Sequence, residues 1–263
     1  MQAPSPERGS QGCRDPLFRV GTSGWAYREW RSWWYPEKLA QREWLRFYAQ
    51  HFCTVELNST FYRLPPPEVF RRWAASVPAE FCFAVKAPRA LTHARPPLSD
   101  EPLLHEFFER VSLLGAQGRV LLWQFPPSFP CDLDTLRRVV AALPRLFEHA
   151  FELRHPSWDI PAVWELLQDA GIALVWSSSL RYPLFRVQTA PFLYLRFHGL
   201  RGGYTHRYTE HELLPWAEQV ASALRQGCRV YAYFNNTAGS APRDAQMFHM
   251  LVERLREAPS RSR

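Results

Sequence analysis

Eight short runs rich in Val, Leu, Phe and Tyr recur along the chain, and stretches with apolar residues at helical spacing separate most of them. That alternation restricts the fold more than any other feature. The runs are Phe18–Thr22, Thr54–Asn58, Phe81–Lys86, Val120–Phe125, Ala150–Arg154, Ile172–Ser177, Phe192–His198 and Arg229–Asn235. Helical spacing covers residues near 41–51, 67–76, 101–114, 133–143, 160–170, 209–226 and 241–256. Eight strands in about 240 residues leaves roughly 30 per unit, the length of one strand and its crossover helix. Alternating units of this kind require parallel strands, so the expected fold is α/β, a single-domain (β/α)₈ TIM-type barrel. A doubly wound sheet is the rival. It usually opens with a Gly-rich phosphate turn after its first strand, and GTSGWAY does not supply one. After the sixth run, SSLRYPLFRVQTAP has two prolines and no helical pattern, which predicts an irregular connection there.

Each run begins apolar and ends in polar or ionisable residues. These include Thr22 and Ser23, Glu56 and Asn58, Lys86, Gln124, Glu152 with Arg154 and His155, Ser177 and Ser178, Arg196 with His198, and Asn235 with Asn236. In a parallel barrel all these ends share one face, where barrel enzymes carry their chemistry. Residues two apart on a strand point the same way, which groups Glu56 with Asn58, Glu152 with Arg154, Arg196 with His198, and Tyr233 with Asn235. Solvent-facing strand ends would explain scattered Ser and Thr. They do not explain charged groups in matched phase inside apolar strands, because buried charge has to be compensated.

Composition narrows the function classes. The formal charge is +7, yet no run of five basic residues occurs, so a nucleic-acid stripe is the less favoured reading of the charge. Only Lys38 and Lys86 are lysines, leaving 30 of the 32 basic residues as arginine. A lysine at a pocket position in such a chain points to a need for an ammonium, a group that, unlike a guanidinium, can lose its proton or form an imine. Lys38, in a loop after Pro36, is read as incidental. Cys13, Cys53, Cys82, Cys131 and Cys228 are odd in number and lack any CxxC pair, as expected of a reduced cytoplasmic protein without a thiolate zinc site. No apolar stretch approaches the roughly 18 residues of a membrane span. Residues 1–16 read as a disordered tail without a secretion signal, 17–256 as the barrel, and 257–263 as a frayed end.

The segments GTSGWAYREW (21–30), TVELNSTFYRLP (54–65), FAVKAPRALTH (83–93), LLWQFPPSF (121–129), FELRHPSW (151–158), YLRFHG (194–199) and VYAYFNNTA (230–238) resemble, in order, those of the domain-of-unknown-function-72 or YecE-like family. The resemblance implies a (β/α)₈-type barrel with a shared pocket and no particular reaction. The chain departs from that pattern at the sixth strand, where Ser177-Ser178-Ser179 stands in place of an Asp-containing end.

The residues admit two functional readings. In the first, the protein is an enzyme doing metal-independent acid–base chemistry on a small polar or anionic metabolite, a sugar or sugar phosphate. Glu56 and Glu152 would move protons with Lys86 and His155 as further catalytic candidates. Arg154, Arg196 and His198 would hold the ligand, Asn58, Gln124 and Asn235 would orient it, and Trp25, Tyr62 and Trp158 would wall it. Lys86 has three available roles: Schiff-base former, desolvated base, or point charge for an anion or carboxylate. The last is favoured, which predicts an ion pair with Glu56 or Glu152. A two-His, two-Glu metal set is disfavoured by the cations beside it, and no cofactor is expected. The loop HGLRGGYTHRY is the candidate phosphate cradle. In the second reading, the protein binds a ligand or nucleic acid without catalysis.

Overall fold

The computed structural model describes residues 15–257. Its strands are β1 (Phe18–Thr22), β2 (Thr54–Leu57), β3 (Cys82–Lys86), β4 (Gly118–Gln124), β5 (Glu148–Glu152), β6 (Ala173–Leu174), β7 (Trp176–Ser178), β8 (Phe192–Phe197) and β9 (Arg229–Phe234). All ladders are parallel. They form a five-stranded sheet, β2-β3-β4-β5-β6, and a four-stranded sheet, β1-β9-β8-β7. The predicted sixth strand is thus divided at Val175, whose amide still bonds Phe151 O of β5 at 2.9 Å.

The other seam lies between β1 and β2, linked by an isolated parallel bridge from Ser23 to Glu56. A tyrosine hydroxyl stands in for ladder bonds there. Tyr48 Oη accepts from the Thr22 amide at 2.8 Å and donates to Thr54 O at 3.1 Å. Gly21 permits this approach, because a Cβ at that position would lie 2.2 Å from Thr54 O.

Period-two alternation divides the core. Cys82, Ala84, Val120, Leu122, Ala150, Phe192, Tyr194, Tyr231 and Tyr233 pack together inside the strands, while Phe83, Val85, Leu121, Trp123 and Phe151 belong to the separate layer beneath the helices. Small residues at 82, 84 and 150 leave room in the interior for large polar ones at 56, 152, 194 and 196. Local chemistry sets several helix starts: the Asp100 carboxylate accepts from Leu103 N, and Thr209 forms a capping box with Glu212 ahead of Glu210–Arg225. Residues 179–191, the expected irregular connection, contain no helix or strand.

Two expectations need adjustment. The helix predicted near 41–51 is a 3₁₀ turn, Gln41–Glu43, followed by the short helix Trp44–Tyr48. The predicted tails fall outside the described residues except for Asp15, Pro16 and Glu257; Asp15 pairs with Arg256, and Glu257 ends the helix Ala241–Glu257. Among the described residues no helix is long and apolar enough to cross a membrane.

Candidate functional site

The inward phase of β2, β5 and β8 brings Glu56, Glu152 and Arg196 together at the C-terminal ends of the strands. The Arg196 guanidinium, 1% exposed, joins both carboxylates. Its Nε and Nη2 donate to Glu56 at 3.0 and 2.7 Å, and its Nη1 donates to Glu152 Oε2 at 2.7 Å. Glu56 also accepts from Ser23 Oγ at 2.6 Å and Tyr194 Oη at 2.7 Å. Burial alone would raise the Glu56 carboxyl, but the charge and hydrogen bonds of Arg196, with Ser23 and Tyr194, hold it below the usual range.

Glu152 is equally occupied. Its Oε2 accepts from Arg154 Nη2 at 2.9 Å and Nε at 3.2 Å, and its Oε1 from Ser177 Oγ at 3.1 Å and His198 Nε2 at 2.7 Å. Burial opposes ionisation, yet Arg154, Arg196 and His198 keep this carboxyl well below its ordinary value. Asn235 Nδ2 lies 3.0 Å from His198 Nδ1, which therefore accepts, leaving the proton on Nε2 facing Glu152. Burial first, and Arg196 as well, outweigh Glu152 and lower the His198 pKa to about 4, so the ring is a neutral donor. Tyr182, delivered by the irregular connection, lies over the Arg154 guanidinium at 3.9 Å and edge-on to His198.

Lys86 differs from these groups. The expected ion pair with Glu56 or Glu152 does not form, because Arg196, Arg154 and His198 occupy the carboxylates. Among the described residues the Lys86 amine has no ion pair; its Nζ lies 3.7 Å from the centroid of the Phe61 ring. Only 7% of the residue is exposed. Burial and then the Arg196 charge depress its pKa to about 7, against the weaker opposing pull of Glu152 and Glu56. With Lys86 neutral, Glu56, Glu152, Arg154 and Arg196 cancel; with Lys86 protonated, the cluster carries one net positive charge.

Other predicted residues divide. Gln124 is buried at the same mouth, and among the described residues its amide makes no hydrogen bond to protein. Asn58 Oδ1 is buried and unpartnered, an acceptor left open. Tyr62, 82% exposed, lines a cleft of about 550 Å³ with Phe61, Arg63, Arg89 and His93. Three candidates are engaged elsewhere. Trp158 is 0% exposed, donates to Phe129 O at 2.8 Å and packs on Phe129, so it builds the core and forms no wall. Trp25 stands edge-on to Trp73 of the helix Pro67–Ala75. His155 caps the turn Pro156–Trp158, its Nδ1 accepting from Ser157 Oγ at 2.7 Å and Ser157 N at 3.2 Å. In the segment 198–208, expected as a phosphate cradle, the amides of Gly199, Gly203, Thr205 and His206 are bonded within the segment.

Tyr182 and Tyr194 enter the site beyond the expected residues, while Ser23 and Ser177, expected at the shared strand ends, bond the two carboxylates. Tyr194 precedes Arg196 by two residues, so strand phase carried its signal. Of the three serines that stand in place of the expected Asp-containing end, Ser177 donates to Glu152 Oε1 and Ser178 bonds the Tyr208 hydroxyl. Glu56 and Glu152 have so many donors that few lone pairs remain for a cation, and among the described residues no cluster of three or more His, Cys, Asp or Glu could hold a metal ion.

Residues 19–263 match the model of a family described as "Protein of unknown function DUF72". The sequence is 29% identical to UPF0759 protein YunF of Bacillus subtilis, over 89% of this chain and 95% of that protein. It is 32% identical to UPF0759 protein YecE of Escherichia coli strain K12, over 54% of this chain and 50% of that one. A crystal structure of a DUF72 family protein from Thermotoga maritima superposes with a TM-score of 0.79 at 29% identity, covering 90% of this chain and 99% of that one. One from Enterococcus faecalis has a TM-score of 0.77 at 21% identity, covers 90% and 96%, and shows the shared fold.

Proposed function

The chain belongs to the DUF72 family, and we propose that it is an enzyme doing acid–base chemistry on a small anionic metabolite at the C-terminal ends of its strands. One observation carries the reading: the buried carboxylates are filled by donors, whereas the buried Lys86 amine against Phe61 has no ion pair among the described residues. Glu56 and Glu152 are thus positioning residues that hold Arg196, Arg154 and His198 in place, and the proton-handling group is Lys86. A pKa of about 7 places this amine at balance near neutrality, where a group serves as acid or base with the least mismatch. An anion supplies the charge that the protonated cluster lacks, and Gln124 and Asn58 offer a donor and an acceptor to orient it.

Calorimetry with inorganic phosphate and with a sugar phosphate tests the reading. Binding should take up a proton, weaken at least tenfold between pH 6 and pH 8.5 as Lys86 loses its charge, and vanish in Lys86→Met. Affinity that ignores both pH and the Lys86 substitution would sink it.

A further inference from the structure

We propose that Lys86 forms an imine with a small aldehyde or ketone that carries an anionic group. The proposal rests on the anionic-ligand reading of the same site and adds the substrate class and the bond formed.

The amine is held as a nucleophile. A lysine that serves only as a structural charge is paired to a carboxylate, but here both neighbouring carboxylates are saturated by Arg196, Arg154, His198, Ser23, Tyr194 and Ser177. The Phe61 ring 3.7 Å from Nζ attracts the ammonium without accepting its protons in ion-paired geometry, and leaves the lone pair unhindered by hydrogen-bond donors once the proton departs. Thr60 Oγ1 donates to Lys86 O at 2.7 Å and so fixes the segment bearing Phe61 to β3. Desolvation beside a second cation is how a lysine is activated for carbonyl attack, and both conditions hold here.

Charge selects the substrate. The cluster is neutral when Lys86 is a free amine, but a protonated imine is a cation that the protein does not compensate. A carbonyl compound bearing its own anionic group supplies the missing charge. Phe61, which touches Nζ, also lines a cleft of about 550 Å³ with Arg63 and Arg89; Lys86 does not line it, and the carbonyl compound reaches Nζ past the Phe61 ring with its anionic end toward either guanidinium.

The step balances without an oxidant. Neutral Nζ attacks the carbonyl carbon, the C=O π pair moves to oxygen, and one Nζ proton passes to that oxygen, giving a carbinolamine. A proton from solvent then allows the hydroxyl to leave as water while the nitrogen lone pair forms the C=N bond. The net change is one amine, one carbonyl and one proton converted to one protonated imine and one water.

The full-length protein should be incubated with pyruvate or dihydroxyacetone phosphate, reduced with sodium borohydride and mapped by peptide mass. Only two lysines are present, and Lys38 is exposed, so it serves as an internal control. The expected result is reduced adduct at Lys86 at least tenfold above Lys38 at pH 7, and absent from Lys86→Arg that remains folded by circular dichroism. Equal labelling of the two lysines, or none at Lys86, overturns the proposal. Phosphate binding without any Lys86 adduct overturns the imine and leaves the anionic-ligand reading standing. An adduct that forms as readily with acetone as with the anionic probes overturns the anionic substrate class, and with it that reading.

Discussion

Arg196 grips Glu56 through two hydrogen bonds, Nε at 3.0 Å and Nη2 at 2.7 Å, while its third nitrogen reaches Glu152 at 2.7 Å. One guanidinium thereby ties β2 to β5 across the interior from β8. Because all three groups are removed from water, their value lies in mutual compensation, and breaking one partner leaves an uncompensated buried charge.

Arg196→Met should accordingly cost about 3–5 kcal/mol in urea unfolding. Glu56→Gln alone should also destabilise, and the double variant should recover part of the loss, with a coupling of about 1–3 kcal/mol. Strictly additive losses would show that the two side chains do not act as a pair.

Much of this cluster was legible in the sequence, since strand phase alone sends 56, 152 and 196 to one interior. The partners within it were not. Lys86 was expected beside a carboxylate because buried lysines need one, but Arg196 presents a planar fork that satisfies two carboxylates at once and a lysine cannot compete with it. Tyr182 lies in a segment without periodicity, so no pattern could bring it over Arg154. Trp25 and Trp158 show the converse limit: an aromatic residue in a strand-end loop reads alike whether it walls a ligand or seals a core, and only packing on Trp73 and Phe129 decides.

Lys86 should lower stability in a pH-dependent way. Its folded pKa of about 7 lies below the ordinary lysine value of about 10.4, so the unfolded chain binds more protons throughout that interval. The penalty is therefore fully present below pH 7 and disappears as pH rises toward 10.4. Lys86→Met should gain up to about 4 kcal/mol at neutral pH, with the gain shrinking between pH 7 and pH 9.5 in urea unfolding. Parallel stability curves for the two proteins would show that the amine is not depressed.

The β1–β2 seam carries the last prediction. Where ladder bonds would otherwise join the two sheets, Tyr48 Oη accepts from Thr22 N at 2.8 Å and donates to Thr54 O at 3.1 Å, and the residue is fully buried. Tyr48→Phe keeps the ring but removes the hydroxyl, leaving a buried donor and a buried acceptor facing each other. Two unsatisfied backbone groups should cost about 2–4 kcal/mol. The loss should be local, so that the Thr22 amide exchanges with solvent at least tenfold faster in the folded protein. Tyr35→Phe is the control: it deletes a 2.6 Å hydrogen bond to Trp25 O away from the seam and should leave Thr22 exchange unchanged. Because Glu56 lies two residues after Thr54 on β2 and is bridged to Ser23, loosening the seam should also weaken phosphate binding in Tyr48→Phe, but not in Tyr35→Phe. Equal exchange at Thr22 in both variants would mean that the hydroxyl does not join the sheets.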